Sequence, residues 1–236
     1  MLTRILSVGL LAGLLAGLLI AALQQVTTTP LILVAETFEK PAVASATPAP
    51  THTHQGGEAH VHGEGWKPAD GMPRLFFTAI TTVATAMGVA FVLMAVMVFA
   101  GVPIDEHHAL AWAVAGFVAC GLAPAAGLAP VLPGSAAGDL VGRQVWWVGT
   151  AIATAIGLWA FLRADHHPLV RLGAIVLLLA PHVIGAPHPP AFESKVPAEI
   201  AAQFTALSLV VQGLLWALVG IGVGLFWPKF APKTAA

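Results

Sequence analysis

Residues 75–100 read LFFTAITTVATAMGVAFVLMAVMVFA, a run without a single Asp, Glu, Lys or Arg. A helix crosses a bilayer with about 20 apolar residues. In lipid every backbone N–H and C=O must be satisfied within the segment, so such a run folds as a spanning helix. Working outward, five more apolar segments flank it, at about Ile5–Leu23, Ala109–Leu128, Val145–Leu162, Leu172–Gly185 and Ile200–Trp227. Leu172–Gly185 is short and carries Pro181, which suits a broken or re-entrant helix as well as a span. The pattern predicts an all-α fold, a polytopic membrane helix bundle of five to six transmembrane helices, forming one integral membrane domain over residues 1–236.

Composition agrees. Of 236 residues 58% are hydrophobic and 9% charged, and the mean hydropathy is +0.86. A soluble domain carries about 25% charged residues, so most of this surface faces lipid. The net charge of −1 offers no basic footprint for nucleic acid. The single cysteine, Cys120, excludes an intrachain disulfide and a thiolate cluster. No phosphate-binding loop of the P-loop type is present, so ATP hydrolysis by that route is not expected.

The N-terminal run follows Arg4 like a signal peptide, but it is too long for an ordinary h-region and no clear A-x-A site follows. A retained helix is expected. Gly9, Gly13 and Gly17, like Gly220 and Gly224 in the last segment, place small residues on one face for close helix packing. Residues 24–73 read as one extramembrane loop with a Pro/Ala-rich linker at 40–50. Trp66, Trp112, Trp146, Trp147 and Trp227 fall near segment ends, where indole favours the headgroup region. Arg4, Arg163, Arg171, Lys229 and Lys233 lie close to helix ends on one side, which weakly favours a cytoplasmic N-terminus and an outer 24–73 loop.

Two stretches repeat, at 109–162 and 169–227. Asp105-Glu106-His107-His108 precedes the first and Asp165-His166-His167 the second. Leu122-Ala123-Pro124 with Ala129-Pro130 matches Leu179-Ala180-Pro181 with Ala186-Pro187, and Ala125 stands where the second copy has His182. Two helices separate the copies, so they share an orientation, a parallel symmetry that transporters use. With six spans, His107, His108, His166 and His167 share one face. The 52–62 histidines, Asp139, His188 and Glu199 share the other.

The residues that suit chemistry are metal ligands. His52, His54, His60 and His62, with Glu58 and Glu64, crowd one Gly-containing loop. Neutral imidazole and carboxylate are ligands for borderline first-row metals; a solvated linker rich in histidine is the plainer reading. His182 follows Pro181, which deprives the Leu177 carbonyl of its helix donor. An ionisable side chain beside a freed carbonyl suits an ion site, and a packing histidine is the alternative. Glu199 and Gln203 lie one turn apart at the start of the last segment, where a carboxylate also complements the helix N-terminus. Asp139 is a further ligand candidate, unless it pairs with Arg143. Glu36 and Glu39 follow the first helix and either line an intake or face solvent. The His107–His108 and His166–His167 pairs are receivers on the inner face, or ordinary loop residues. No H-E-x-x-H or G-x-S-x-G motif favours an enzyme.

Taken jointly, several motifs carry a resemblance. They are the glycine-rich first helix running into Pro30-Leu31-Ile32-Leu33 and Ala35-Glu36, His60-Val61-His62-Gly63-Glu64-Gly65-Trp66, and Pro68-Ala69-Asp70-Gly71. Arg143-Gln144-Val145-Trp146-Trp147, Pro181-His182-Val183-Ile184-Gly185-Ala186-Pro187 and Pro197-Ala198-Glu199-Ile200-Ala201-Ala202-Gln203-Phe204 complete them. The chain resembles the CbtA family, predicted cobalt transporter subunits of prokaryotic membranes. The resemblance implies Co²⁺ as the transported ion in a prokaryotic inner membrane, linked to cobalamin supply, with a small one-helix, His-bearing CbtB-like partner. The residues themselves leave Ni²⁺ and Zn²⁺ open, and a homo-oligomer as well. The expected function is uptake of a divalent metal, with a His-rich capture loop and an intramembrane His/Glu site. An accessory subunit delivering ions to another permease and a membrane metalloenzyme are the alternatives.

Overall fold

A computed structural model describes residues 1–39, 68–136, 138–162, 167–189 and 194–231. The elements are α1 (Leu2–Val26), α2 (Thr28–Glu39), α3 (Met72–Phe99) and α4 (Glu106–Phe117). The last continues through a π-helical turn (Val118–Leu122) into α5 (Ala123–Ala125). There follow α6 (Leu140–Leu162), α7 (Pro168–Ile184), α8 (Ala198–Phe226) and a 3₁₀ turn (Pro228–Phe230). No strand occurs among the described residues. Five helices are long and apolar enough to cross a membrane: α1, α3, Glu106–Ala125, α6 and α8 with its 3₁₀ extension. The chain is a multi-pass helical membrane protein.

α1 packs between α3 and α8. Val8, Ala12, Ala16 and Ile20 are buried against Ala86, Ala90 and Met94 of α3 and Val219 and Val223 of α8. The glycines make this possible. A Cβ on Gly17 would stand 2.5 Å from Val83 Cα, and one on Gly13 would overlap the Met87 backbone. In α8, a Cβ on Gly224 would stand 2.5 Å from Glu106 Cα. Without a hydrophobic drive between helices in lipid, such close backbone approach supplies the dispersion contact that holds them together. α1 is therefore integral to the bundle.

The outward faces stay apolar. On α6 these are Val145, Val148, Ile152 and Ile156; on α7, Leu169, Leu172, Val176, Leu179 and Val183. A monomeric soluble protein rarely exposes contiguous apolar patches above a few hundred Å²; here lipid covers them.

α7 is one continuous helix of 17 residues, about 25 Å long. Pro181 sits in its last turn and is tolerated there, and Gly185, at φ 87°, closes the helix with its N–H on the Pro181 carbonyl. α7 runs antiparallel to α6 along its length. Trp146 near the start of α6 donates to Pro181 O, and Gly157 further along meets Leu178 and Ala174 O. Arg4 at the start of α1 donates to Trp227 O at the end of α8. The start of α1 and the end of α8 therefore lie at one end of the bundle.

The expected loop over 24–73 is corrected at its start: α1 runs to Val26, and Thr28–Glu39 is helical. Thr27-Thr28-Thr29-Pro30 reads as a breaker, yet proline is accepted in a helix's first turn, where its missing N–H is not needed. Ala35 of α2 is buried with Leu132 and Val196, against Ile200 and Phe204 of α8. α2 thus lies over one end of the bundle.

Candidate functional site

The bundle has two ends, one marked by Arg4 and Trp227, the other by Arg74 and Glu36. At the Arg74 end α3 starts at Gly71, whose φ of 85° suits glycine. Arg74 then donates to both Glu36 carboxylate oxygens, at 2.8 and 2.5 Å, and to Asp70 at 3.4 Å. Glu36, a ligand candidate, is thus held in a bidentate ion pair that fastens α2 to α3.

Asp139 lies at the same end. Its Oδ2 accepts the Gly142 N–H at 2.6 Å, the geometry of an N-cap on α6. Its pairing with Arg143 does not occur among the described ion pairs. Glu199 and Gln203 stand exposed in the first turns of α8. His182 is exposed near the end of α7, its ring 6.0 Å from the Trp146 ring in an edge-on arrangement. These residues share an end of the bundle. Among the described residues, however, no group of three or more His, Cys, Asp or Glu stands close enough to hold a metal. His52, His54, His60 and His62 lie outside the described residues, as does His166.

At the Arg4 end, Asp105 caps α4. It accepts the His108 N–H at 2.9 Å, and its other oxygen lies 2.7 Å from His108 Nδ1. The His108 backbone N–H is the main cause, and the imidazole contact the second, of the Asp105 carboxyl being held below its ordinary range. A carboxylate on Nδ1 selects the tautomer with its proton there and leaves the Nε2 lone pair free for a ligand.

Three features escaped sequence reasoning. The π turn at Val118–Leu122 precedes Pro124, with the Ala123 N–H reaching back to Val118 O; π turns recur at functional sites. Gln212 of α8 brings its Oε1 against Gly121, within 2.9 Å of where a Cβ would stand. The hydroxyls of Thr150 and Thr154, 1% and 2% exposed, have no hydrogen-bond partner among the described residues. They lie on the α6 stripe between Trp146 and Gly157, which faces α7. A single Gln or Thr in an apolar helix carries no spacing signal; only Pro124, the counterpart of Pro181, pointed to this region.

A family model described as "Probable cobalt transporter subunit (CbtA)" matches residues 2–228. No curated protein and no solved structure matches the chain.

Proposed function

The chain belongs to the CbtA family of probable cobalt transporter subunits, and from that premise we propose that it carries a divalent metal ion, Co²⁺ first, inward across a cell membrane. The observation that carries this reading is the family match, which spans every described α-helix. The residues fit the cargo in kind: histidine, carboxylate and amide oxygen suit borderline and hard dications, and the choice of cobalt over nickel or zinc rests on the family.

In this reading the Arg74 end faces outward. His52, His54, His60 and His62 collect the ion from dilute solution. His182, with Glu199, Gln203 and Asp139, receives it at the outer membrane boundary, with side chains converging only when the ion is present. His108, oriented by Asp105, accepts it on the inner side through Nε2. The exposure of His182, Glu199 and Gln203 leaves each free to turn toward a ligand. Glu36 contributes indirectly, by holding α2 across the intake.

The two repeats supply a framework. α8, the second helix of the later copy, packs on α4, the first helix of the earlier one; α6 packs in turn on α7. Reciprocal exchange of this kind follows from a two-fold axis along the membrane normal. No ATP is required: a dication moving inward gains about 4.6 kcal/mol per 100 mV, twice the single-charge value. That corresponds to about a thousandfold accumulation.

The word subunit in the family description favours one second reading, an accessory chain that hands its ion to a separate permease; the small one-helix partner is the candidate companion. Purified chain in liposomes, with an inside-negative potential and with or without that partner, separates the readings. Co²⁺ uptake by the chain alone supports transport. Uptake only with the partner supports the accessory role, and no uptake in either case sinks both. Unchanged uptake in His182→Ala would remove the proposed receiving site, and unchanged uptake at every Co²⁺ concentration on deleting 52–62 would remove the collector.

A further inference from the structure

A hollow of about 420 Å³ lies between the first turns of α6, the loop at 128–131 and the middle of α8. Its size is within the range of about 300–1,000 Å³ usual for small-ligand sites. Leu132, the next residue of that loop, is buried with Ala35 of α2, so the hollow belongs to the end that α2 covers. Among the described residues lining it, Arg143 alone is charged. Its side chain is half-buried and makes no hydrogen bond or ion pair among the described residues.

That charge is out of place by local rules. Asp139, one turn earlier, accepts the Gly142 N–H instead of pairing with it. A cation in the first turn of a helix opposes the helix dipole, and a charge withdrawn from water without a partner costs stability. A bound anion offsets both. The Gln144 amide and the Trp147 indole line the same hollow and have no hydrogen-bond partner among the described residues. Arg143 and Trp147 stand one turn apart near the start of α6, at the depth where indole meets headgroups. Around them Val131, Leu140 and Val148 are exposed, so the rim of the hollow faces acyl chains.

We infer that this hollow binds one anionic phospholipid. The Arg143 guanidinium takes the phosphate, Gln144 and Trp147 donate to its remaining oxygens, and an acyl chain lies along Leu140 and Val148. The planar guanidinium matches two phosphate oxygens at once, and basic pockets between transmembrane helices take phosphorylated headgroups. No carboxylate is among the described residues lining the hollow to receive an ammonium, which favours an anionic headgroup over a zwitterionic one. The same positive charge repels a dication, so the hollow lies off the path of the transported ion. The inference does not depend on the transport reading.

Full-length protein, stripped of lipid in detergent, is titrated with phosphatidylglycerol, with phosphatidylcholine of the same acyl chains, and with inorganic phosphate. Occupancy is read by native mass spectrometry and folding by thermal unfolding. One phosphatidylglycerol should bind and raise the unfolding temperature, with phosphatidylcholine about tenfold weaker. Arg143→Gln should weaken phosphatidylglycerol about tenfold, the loss of a charge-assisted pair. Lys229→Gln, which removes an exposed cation at the Arg4 end, should leave it unchanged. Phosphatidylglycerol with a diazirine in its acyl chain should label residues 128–131 and 140–148 of the unsubstituted chain, a readout that needs no variant to fold. The site is overturned if Arg143→Gln folds and binds phosphatidylglycerol as tightly as the parent, or if the labels fall outside those segments. Equal binding of the two lipids overturns the anionic preference. If inorganic phosphate binds at Arg143 and phosphatidylglycerol does not displace it, the site takes a soluble anion and the lipid assignment falls.

Discussion

Arg4, in the first turn of α1, donates from both Nε and Nη2 to the carbonyl of Trp227, at 2.9 and 2.6 Å, and its guanidinium lies 4.0 Å from the Trp227 ring centroid. Trp227 is the C-cap of α8, where carbonyls lack helix donors and a cation complements the dipole. One side chain thus closes the bundle by joining the first turn of the chain to the end of its last long helix. Arg4→Ala should cost about 1–3 kcal/mol through the lost charge-assisted hydrogen bonds and cation–π contact. Thermal unfolding in detergent measures it; Arg4→Lys, which cannot present the same planar fork, should recover only part.

Gly13→Ala should destabilise the bundle by about 1–3 kcal/mol, because the added methyl has no space against the Met87 backbone and α1 must move off α3. Gly88→Ala is the control, since nothing lies within 4 Å of a Cβ there. Equal stability of the two variants would contradict the close packing of α1 on α3.

Thr150→Val and Thr154→Val each replace a buried, unpartnered hydroxyl by a methyl of the same shape. Each should raise stability by about 1–3 kcal/mol, the cost of a buried unsatisfied polar group. Chemical denaturation in detergent reads the change. A loss of stability would show that the hydroxyls hold a water or an ion.

The Asp105 carboxyl gives a pH dependence. Its folded value is lowered by the His108 N–H and imidazole, so the unfolded chain binds a proton more readily than the folded one. Its contribution is present above the ordinary carboxylate value of about 3.9 and is lost as pH falls through the lowered folded value. Between pH 5 and pH 2, Asp105→Ala should therefore lose less melting temperature than the parent. Parallel melting curves would show that the cap contributes nothing.

The transport reading also separates the two histidines. His108→Ala should lower Co²⁺ uptake while leaving the melting temperature nearly unchanged, because its ring is exposed and the Asp105 cap to its backbone N–H remains. Uptake in vesicles, compared with the fall produced by His182→Ala, ranks the inner and outer ligands.

Much of this architecture was legible in the chain. Length and hydropathy marked each long helix, because a lipid-crossing segment must satisfy its own backbone. The glycine spacing in α1 announced close packing, which Gly17 against Val83 realises. α2 was not legible: Thr27-Thr28-Thr29-Pro30 has the composition of a break, and only burial of Ala35 against Leu132 and Val196 makes the helix worthwhile. Among candidate ligands, the residue types were visible but their partners were not. Glu36 is engaged by Arg74, which is 38 positions away, and Asp139 by its own helix. Neither pairing follows from local spacing.

By itself the sequence determined that the chain is a bundle of membrane-crossing helices and that α1 carries a glycine face. These follow from periodicity, proline and hydropathy, which act over one or two turns. Only the tertiary structure decided that α7 is an antiparallel partner of α6, that the start of α1 and the end of α8 come together at Arg4 and Trp227, and that α2 folds over the end marked by Arg74 and Glu36. Those relationships join segments far apart in the chain. They depend on which small residues let backbones approach and which bulky ones hold them apart, a balance of contacts that no local pattern encodes.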